Sequence, residues 1–190
     1  MSELFAYGAN TGSGGGGSGS TIRTGLPMAR GRINTNLLHK VLLYRAVRNS
    51  LIGYRFCNQR CLSTYDIDHR LHQRPIFKRL KKKIEKECEK LTNGDGRGYI
   101  SSMWINVGLS DGKVEPHHHN PRKQPWKISG VYYLSKPEGS GNLIIYNPTR
   151  QVINVETNDL IIFSADMVHE SEINTTNEYR IACGFNFFQR

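Results

Sequence analysis

The sequence predicts a mainly β fold of the sandwich or jelly-roll kind, buttressed by one or two helices. Beyond residue 98, short β-branched and aromatic runs are separated by Gly, Pro, Asn and Asp at regular intervals, the texture of a many-stranded antiparallel protein. Ahead of them, Pro75–Leu91 carries apolar residues at helical spacing on an otherwise Lys- and Glu-rich segment. A chain of 190 residues, 37% hydrophobic, is long enough for one sizeable core.

Taken in order, residues 12–20, GSGGGGSGS, have nothing to bury, so residues 1–20 are expected to be a flexible N-terminal segment or linker. Residues 21–190 then form a single domain, with a helical part over about 36–92 and a β core over about 99–188. Between Asn36 and Arg55, residues Leu37, Leu38, Val41, Leu42, Ala46 and Leu51 recur roughly at helical spacing, which predicts a first helix. In the second helix, Pro75 suits the first turn and Ile76, Phe77, Leu80, Ile84, Cys88 and Leu91 form one stripe. Asn93-Gly94-Asp95-Gly96 ends it. Strands are expected at Tyr99–Val107, Ile128–Leu134, Asn142–Tyr146, Gln151–Val155, Asp159–Ser164 and Tyr179–Phe188.

Composition removes several classes of protein. No apolar run approaches the roughly 18 residues of a membrane span, and no apolar stretch of a signal peptide follows Met1, which predicts a cytoplasmic protein. Cys57, Cys61, Cys88 and Cys183 match no common zinc spacing and read as reduced thiols. The net charge of +10 biases encounters toward nucleic acid, anionic cosubstrates and acidic proteins.

The chemistry sits in the histidines. In an extended chain residues two apart share a side, so His117 and His119 can hold one ion while His118 points away. Imidazole suits Fe, Zn, Cu or Ni. The third ligand is expected to be His169, just beyond the apolar strand Leu160-Ile161-Ile162-Phe163, while His39, His69 and His72 read as solvated or hydrogen-bonded side chains. Arg180, eleven residues after His169 and inside the next strand, is costly there unless it meets an anion, and its planar fork matches a carboxylate.

The order Trp104-x-Asn106, His117-x-His119, Ser129-Gly130-Val131-Tyr132-Tyr133-Leu134, Phe163-Ser164, His169, Arg180 and Phe185-Asn186 resembles the Fe(II)/2-oxoglutarate-dependent oxygenases. Within them it is similar to a poorly characterised bacterial and phage branch with a His-x-His, SGVYY, His, Arg pattern. The resemblance covers about residues 99–188. It implies a double-stranded β-helix, Fe(II) held by His117, His119 and His169, and 2-oxoglutarate bound through its distal carboxylate by Arg180. Asn106 matches the placement of a cosubstrate-binding asparagine in the related AlkB-type nucleic-acid demethylases. The implied activity is a dioxygenase, expected to hydroxylate its substrate.

Two residues depart from the family pattern. Most members carry His-x-Asp/Glu where this chain has His119, which leaves a neutral ligand set; a Glu115/His117 pair is the lower-ranked alternative. Ala182 stands where a hydroxyl residue often accompanies the arginine, so Tyr132, Tyr133 or Tyr146 is expected to complete the cosubstrate site, with Tyr132 placed there first.

The substrate is left open between nucleic acid and protein. The run Lys81-Lys82-Lys83, with Arg74, Lys78 and Arg79, could follow a phosphate backbone but reads better as the solvated face of the second helix. The segment Asn120–Lys127, with Arg122 and Trp126 beside the ligands, could contact a base. Two competing readings remain: a cupin-like three-histidine metal enzyme that does not use 2-oxoglutarate, and a non-enzymatic jelly-roll module.

Overall fold

The computed structural model describes residues 28–92, 98–119 and 128–189; the glycine-serine tract and the Asn120–Lys127 segment lie outside them. Among the described residues, ten strands and two α-helices follow in the order β1 (Ala29–Arg32), α1 (Leu37–Val47), β2 (Ile52–Gly53), β3 (Cys61–Ser63), α2 (Lys78–Leu91), β4 (Gly98–Gly108), β5 (Ile128–Ser135), β6 (Leu143–Tyr146), β7 (Arg150–Ile153), β8 (Asp159–Ser164), β9 (Val168–Ser171) and β10 (Arg180–Gln189). A seven-stranded sheet runs β1-β8-β5-β10-β4-β3-β2, and a three-stranded sheet runs β7-β6-β9. The ladders within both are antiparallel. This is the jelly roll with a helical buttress that the strand spacing predicts.

Side-chain alternation divides the large sheet into two faces. Met103, Ile105, Tyr132, Leu134, Leu160, Ile162, Cys183, Phe185 and Phe187 join the core beneath the helices, where Leu43, Val47, Phe77, Leu80, Ile84, Cys88 and Leu91 meet them. Tyr133, Ile161, Phe163 and Ala182 point the other way and pack with Leu143, Ile145 and Val155 between the two sheets. The second helix buries the stripe expected of it, with Pro75–Phe77 as a 3-10 turn leading into α2.

The first helix is shorter than the helical spacing between Asn36 and Arg55 predicts. It stops at Val47, passes through a 3-10 turn at Arg48–Ser50, and the chain then enters β2. Asn36 caps it, its side chain accepting from the His39 backbone N–H at 2.9 Å. Leu43 and Val47 are buried, whereas Leu37, Leu38, Val41 and Leu42 are exposed, Leu37 to 77%. LLHKVLLYRAV offers apolar residues on more than one side, and periodicity alone does not choose between them. Strands β1, β2, β3 and β9 are too short or too polar to stand out in the sequence. Among the described residues no helix is long and apolar enough to cross a membrane.

Candidate metal and cosubstrate site

The three histidines meet between the sheets. His169 lies inside β9, opposite Ile145 of β6. His117 forms an isolated antiparallel bridge with it: His117 N–H donates to His169 C=O at 3.0 Å, and His169 N–H donates back at 2.9 Å. Two residues on, His119 N–H donates to Ala165 C=O at 2.9 Å, so the segment stays extended and His117 and His119 share a side. One ring nitrogen from each of the three falls within 4.8 Å of the others.

Each ring is fixed from behind. His117 Nδ1 lies 2.8 Å from Glu115 C=O and His169 Nδ1 lies 3.0 Å from Met167 C=O, the same two-residue step back in both cases. A proton on each Nδ1 satisfies those carbonyls and leaves Nε2 as the bare donor. His119 is hydrogen-bonded to the Asn186 side chain, which in turn accepts from Ser129 Oγ at 2.7 Å and donates to Ser102 Oγ at 2.9 Å. Phe56 stacks on His117 and Trp104 on His119. Gly184 makes the second stack possible, because a Cβ there would lie 2.5 Å from the Trp104 ring. Burial favours the neutral form of all three imidazoles: His117 is pushed down, His119 to about 3, and His169 well below its usual value.

Arg180 lines the cavity beside the histidines together with Tyr133, Ser171 and Asn106. Arg180 is 4% exposed. Its Nη1 donates to Ser140 C=O and to Glu172 C=O at 2.8 Å, and its Nη2 to Ser171 Oγ at 2.7 Å and Gly112 C=O at 3.4 Å. Gly141, at φ 83°, is the close neighbour that permits this; a Cβ there would lie 2.6 Å from Nη1. All four acceptors are uncharged, so the guanidinium has neutral partners where an anion would complete it.

Several expected residues are placed differently. Tyr132 faces the helices, and its hydroxyl donates toward Ile33 C=O at 3.0 Å and Asn158 Oδ1 at 3.2 Å, so it is absent from the cavity. Tyr133, next along the strand, takes that side, its phenol pushed up by burial. Tyr146 donates instead to Glu170. The hydroxyl missing at Ala182 is supplied from β9 by Ser171, whose Oγ accepts from Arg180 and from the Val114 N–H at 2.8 Å. Glu115 pairs with Lys113 at 2.8 Å and lies outside the histidine cluster, which removes the Glu115/His117 alternative. Asn106 does line the cavity, with its Oδ1 buried and without a hydrogen-bond partner among the described residues.

The basic run on α2 is the solvated face: Lys81 pairs with Glu85, Arg74 with Asp68, and Lys78, Arg79 and Lys82 are exposed. All four cysteines are free. Cys61 stands opposite Gly108, which stands opposite Arg180, one row across three strands.

No family model matches the sequence, and no curated protein matches it. Solved structures do. A prolyl-4-hydroxylase from Pseudomonas putida superposes with a TM-score of 0.64 at 13% identity, covering 86% of this chain and 92% of that one. A 2OG-Fe(II) oxygenase family oxidoreductase from Burkholderia pseudomallei gives 0.61 at 12%, covering 86% and 84%. HygX from Streptomyces hygroscopicus, bound to nickel, 2-oxoglutarate and hygromycin B, gives 0.63 at 10%, covering 85% and 82%. At these identities the likeness is one of fold, and the chain carries the double-stranded β-helix of the 2-oxoglutarate oxygenases.

Proposed function

We propose that this protein is an Fe(II)- and 2-oxoglutarate-dependent dioxygenase that hydroxylates its substrate. The observation that carries the reading is the pairing, in one cavity, of three inward-facing neutral imidazoles with a buried arginine whose partners are all uncharged. His117, His119 and His169 would hold the metal, and the donor set fits it: three nitrogens on one side, each ring oriented by a partner behind it. Bound Fe(II) and 2-oxoglutarate would supply the oxidation of substrate by dioxygen, with succinate and carbon dioxide as coproducts.

The chain's own part is to bind, orient and keep dry. Arg180 neutralises the distal carboxylate of the cosubstrate, and the Ser171 hydroxyl, which already accepts twice, has its proton free to donate to the same group. Val131, Leu143, Phe163 and Ala182 line the cavity and exclude water. Three neutral ligands leave the metal more positive than a set containing a carboxylate, which weakens its hold on Fe(II) and raises the worth of a dianionic cosubstrate. We further read residues 21–190 as one domain and the protein as cytoplasmic, which its four free thiols support.

The test is anaerobic titration of the Fe(II)-loaded protein with 2-oxoglutarate. A visible metal-to-ligand charge-transfer band is expected, absent from Arg180→Met and His119→Ala. Iron uptake without a band would favour the cupin-like reading, which the three-histidine set otherwise suits. No iron uptake would favour the non-enzymatic module.

A further inference from the structure

Two of the four free cysteines lie against each other. Between β2 and β3 the chain makes two tight turns in succession: Cys57 N–H donates to Tyr54 C=O at 2.8 Å, and Cys61 N–H donates to Asn58 C=O at 3.0 Å. The second turn folds the segment back, and the Cys57 and Cys61 thiols meet in a hydrogen bond. Asn58 staples this turn to the chain after β4. Its Oδ1 accepts from Arg60 N–H at 3.2 Å and from Lys113 N–H at 3.1 Å, and its Nδ2 donates to Asp111 C=O at 2.6 Å. Cys57 bridges Val114 before the turn and Cys61 pairs with Gly108 after it, so backbone holds both cysteines in place.

The pair also belongs to the cavity. Cys61 lines it with Arg180 and Ser171, while Cys57 is partly exposed. Gly112 ties the turn to the arginine: a Cβ there would lie 2.3 Å from Arg60 C=O, and Gly112 C=O accepts from Arg180 Nη2. The two thiols are unlike. Cys61 is pushed down by the hydrogen bond it receives from Cys57, against the effect of burial and with help from the Arg180 charge, whereas Cys57 keeps its proton. Cys88 and Cys183 are fully buried and pushed up by burial, the marks of inert core thiols.

Resting for its cosubstrate on the oxygenase reading above, we propose that Cys57 and Cys61 form a reversible redox site, which hydrogen peroxide closes to an intramolecular disulfide that weakens 2-oxoglutarate binding. The Cys61 thiolate attacks one peroxide oxygen and breaks the O–O bond; with the proton Cys61 gave up, this leaves a sulfenic acid and one water. The Cys57 sulfur then attacks the Cys61 sulfur. The S–S bond forms, the S–O bond breaks, and the hydroxyl departs with the Cys57 proton as a second water. Two thiols have lost two electrons and two protons, and one peroxide is reduced to two waters. A disulfide brings its Cβ atoms to about 3.8 Å, which draws Cys61 and the Arg60–Gly112 contact toward Cys57 and disturbs the row that holds Arg180. Linkage is reciprocal, so bound 2-oxoglutarate slows the oxidation. In a reducing compartment such a pair is a sensor, not a brace.

The test treats the full-length, metal-free protein with one equivalent of hydrogen peroxide, alkylates it under denaturing conditions and maps tryptic peptides without reductant. Cleavage after Arg60 separates the two cysteines, so the disulfide is read as residues 56–60 joined to residues 61–70, two hydrogens lighter than the separate peptides. Cys88 and Cys183 are expected to be alkylated in full. Cys57→Ser should stop at a Cys61 sulfenic acid that dimedone captures, and Cys61→Ala should leave Cys57 unoxidised. Calorimetry with Ni(II) in the site should show 2-oxoglutarate binding at least about 5-fold weaker after oxidation, the lower end of coupling between linked sites. Dithiothreitol should restore it, and Cys61→Ala should be insensitive to peroxide. Absence of the cross-link, or oxidation of Cys88 and Cys183 as fast as Cys57 and Cys61, overturns the redox site. A cross-link with unchanged 2-oxoglutarate affinity overturns its effect on the cavity. No 2-oxoglutarate binding by the reduced, Ni(II)-loaded protein overturns the oxygenase reading and that effect together, while the cross-link still assigns the dithiol.

Discussion

The two faces of the seven-stranded sheet are built from the same strands and differ in almost everything else. Toward the helices the sheet presents Ile105, Tyr132, Leu160, Cys183, Phe185 and Phe187, fully buried and apolar but for one phenol whose hydroxyl is satisfied. Toward the small sheet the same strands present Trp104, Asn106, Tyr133, Arg180 and Asn186, where polar groups are buried beside a cavity and one acceptor has no partner among the described residues. One face supplies cohesion and the other accepts polar cost for the sake of a site. Substitutions on the two sides should therefore separate stability from binding.

The largest separation is expected between Phe77→Ala and His119→Ala. Phe77 is completely buried under the sheet. Its truncation should cost about 3–5 kcal/mol, read as a fall in melting temperature of roughly 10 °C, with one Ni(II) still bound per folded molecule. His119→Ala should leave the melting temperature of the metal-free protein nearly in place. It should lower metal content and 2-oxoglutarate turnover by about 100-fold, at or beyond the losses seen for outer partners of metal ligands. Added Ni(II) should raise the melting temperature of the unmutated protein and not that of the variant. Equal destabilisation by both substitutions would mean that the faces are not distinct.

Arg180 breaks the division, which makes it the sharper probe. It faces the cavity yet holds Ser140, Glu172, Gly112 and Ser171 together. Arg180→Met should weaken 2-oxoglutarate binding by roughly 10- to 100-fold, the worth of a charged hydrogen bond at ~1.5–3 kcal/mol, measured by calorimetry with Ni(II) in the site. It should also lower the melting temperature by several degrees, because buried carbonyls lose their donor. Arg180→Lys keeps the charge without the planar fork and should fall between the two. Loss of stability with unchanged cosubstrate affinity would make Arg180 a structural clamp only.

How much of this was legible in the sequence follows from the range of each interaction. The stripe of α2 and the alternation of β5, β8 and β10 are local, and the spacing gave them. His117 and His119 were readable because their relation needs only two residues of extended chain. The face of α1 was not, since Leu37, Leu38, Val41 and Leu42 match the helical period as well as Leu43 and Val47 do, and tertiary packing makes the choice. Nor was the identity of the hydroxyl beside Arg180: Ser171 reaches it from another strand, while Ala182, its neighbour in sequence, contributes none. Asn186 was visible as a closing motif, but its contact with His119 depends on a pairing that sequence spacing does not encode.

Tyr132 and Tyr133 give the smallest and most specific test, because adjacent residues of one strand must differ in kind if the register is right. Tyr132→Phe removes a hydroxyl that serves Ile33 C=O and Asn158, the latter held at φ 79°. It should cost about 1 kcal/mol and some 2–4 °C in melting temperature, with 2-oxoglutarate affinity unchanged. Tyr133→Phe should shift the melting temperature little and raise the dissociation constant for 2-oxoglutarate a few-fold, because Tyr133 lines the same cavity as Arg180. A swap of these two outcomes would mean that β5 presents its alternate face to the cavity, and the placement of Val131 beside the site would fall with it.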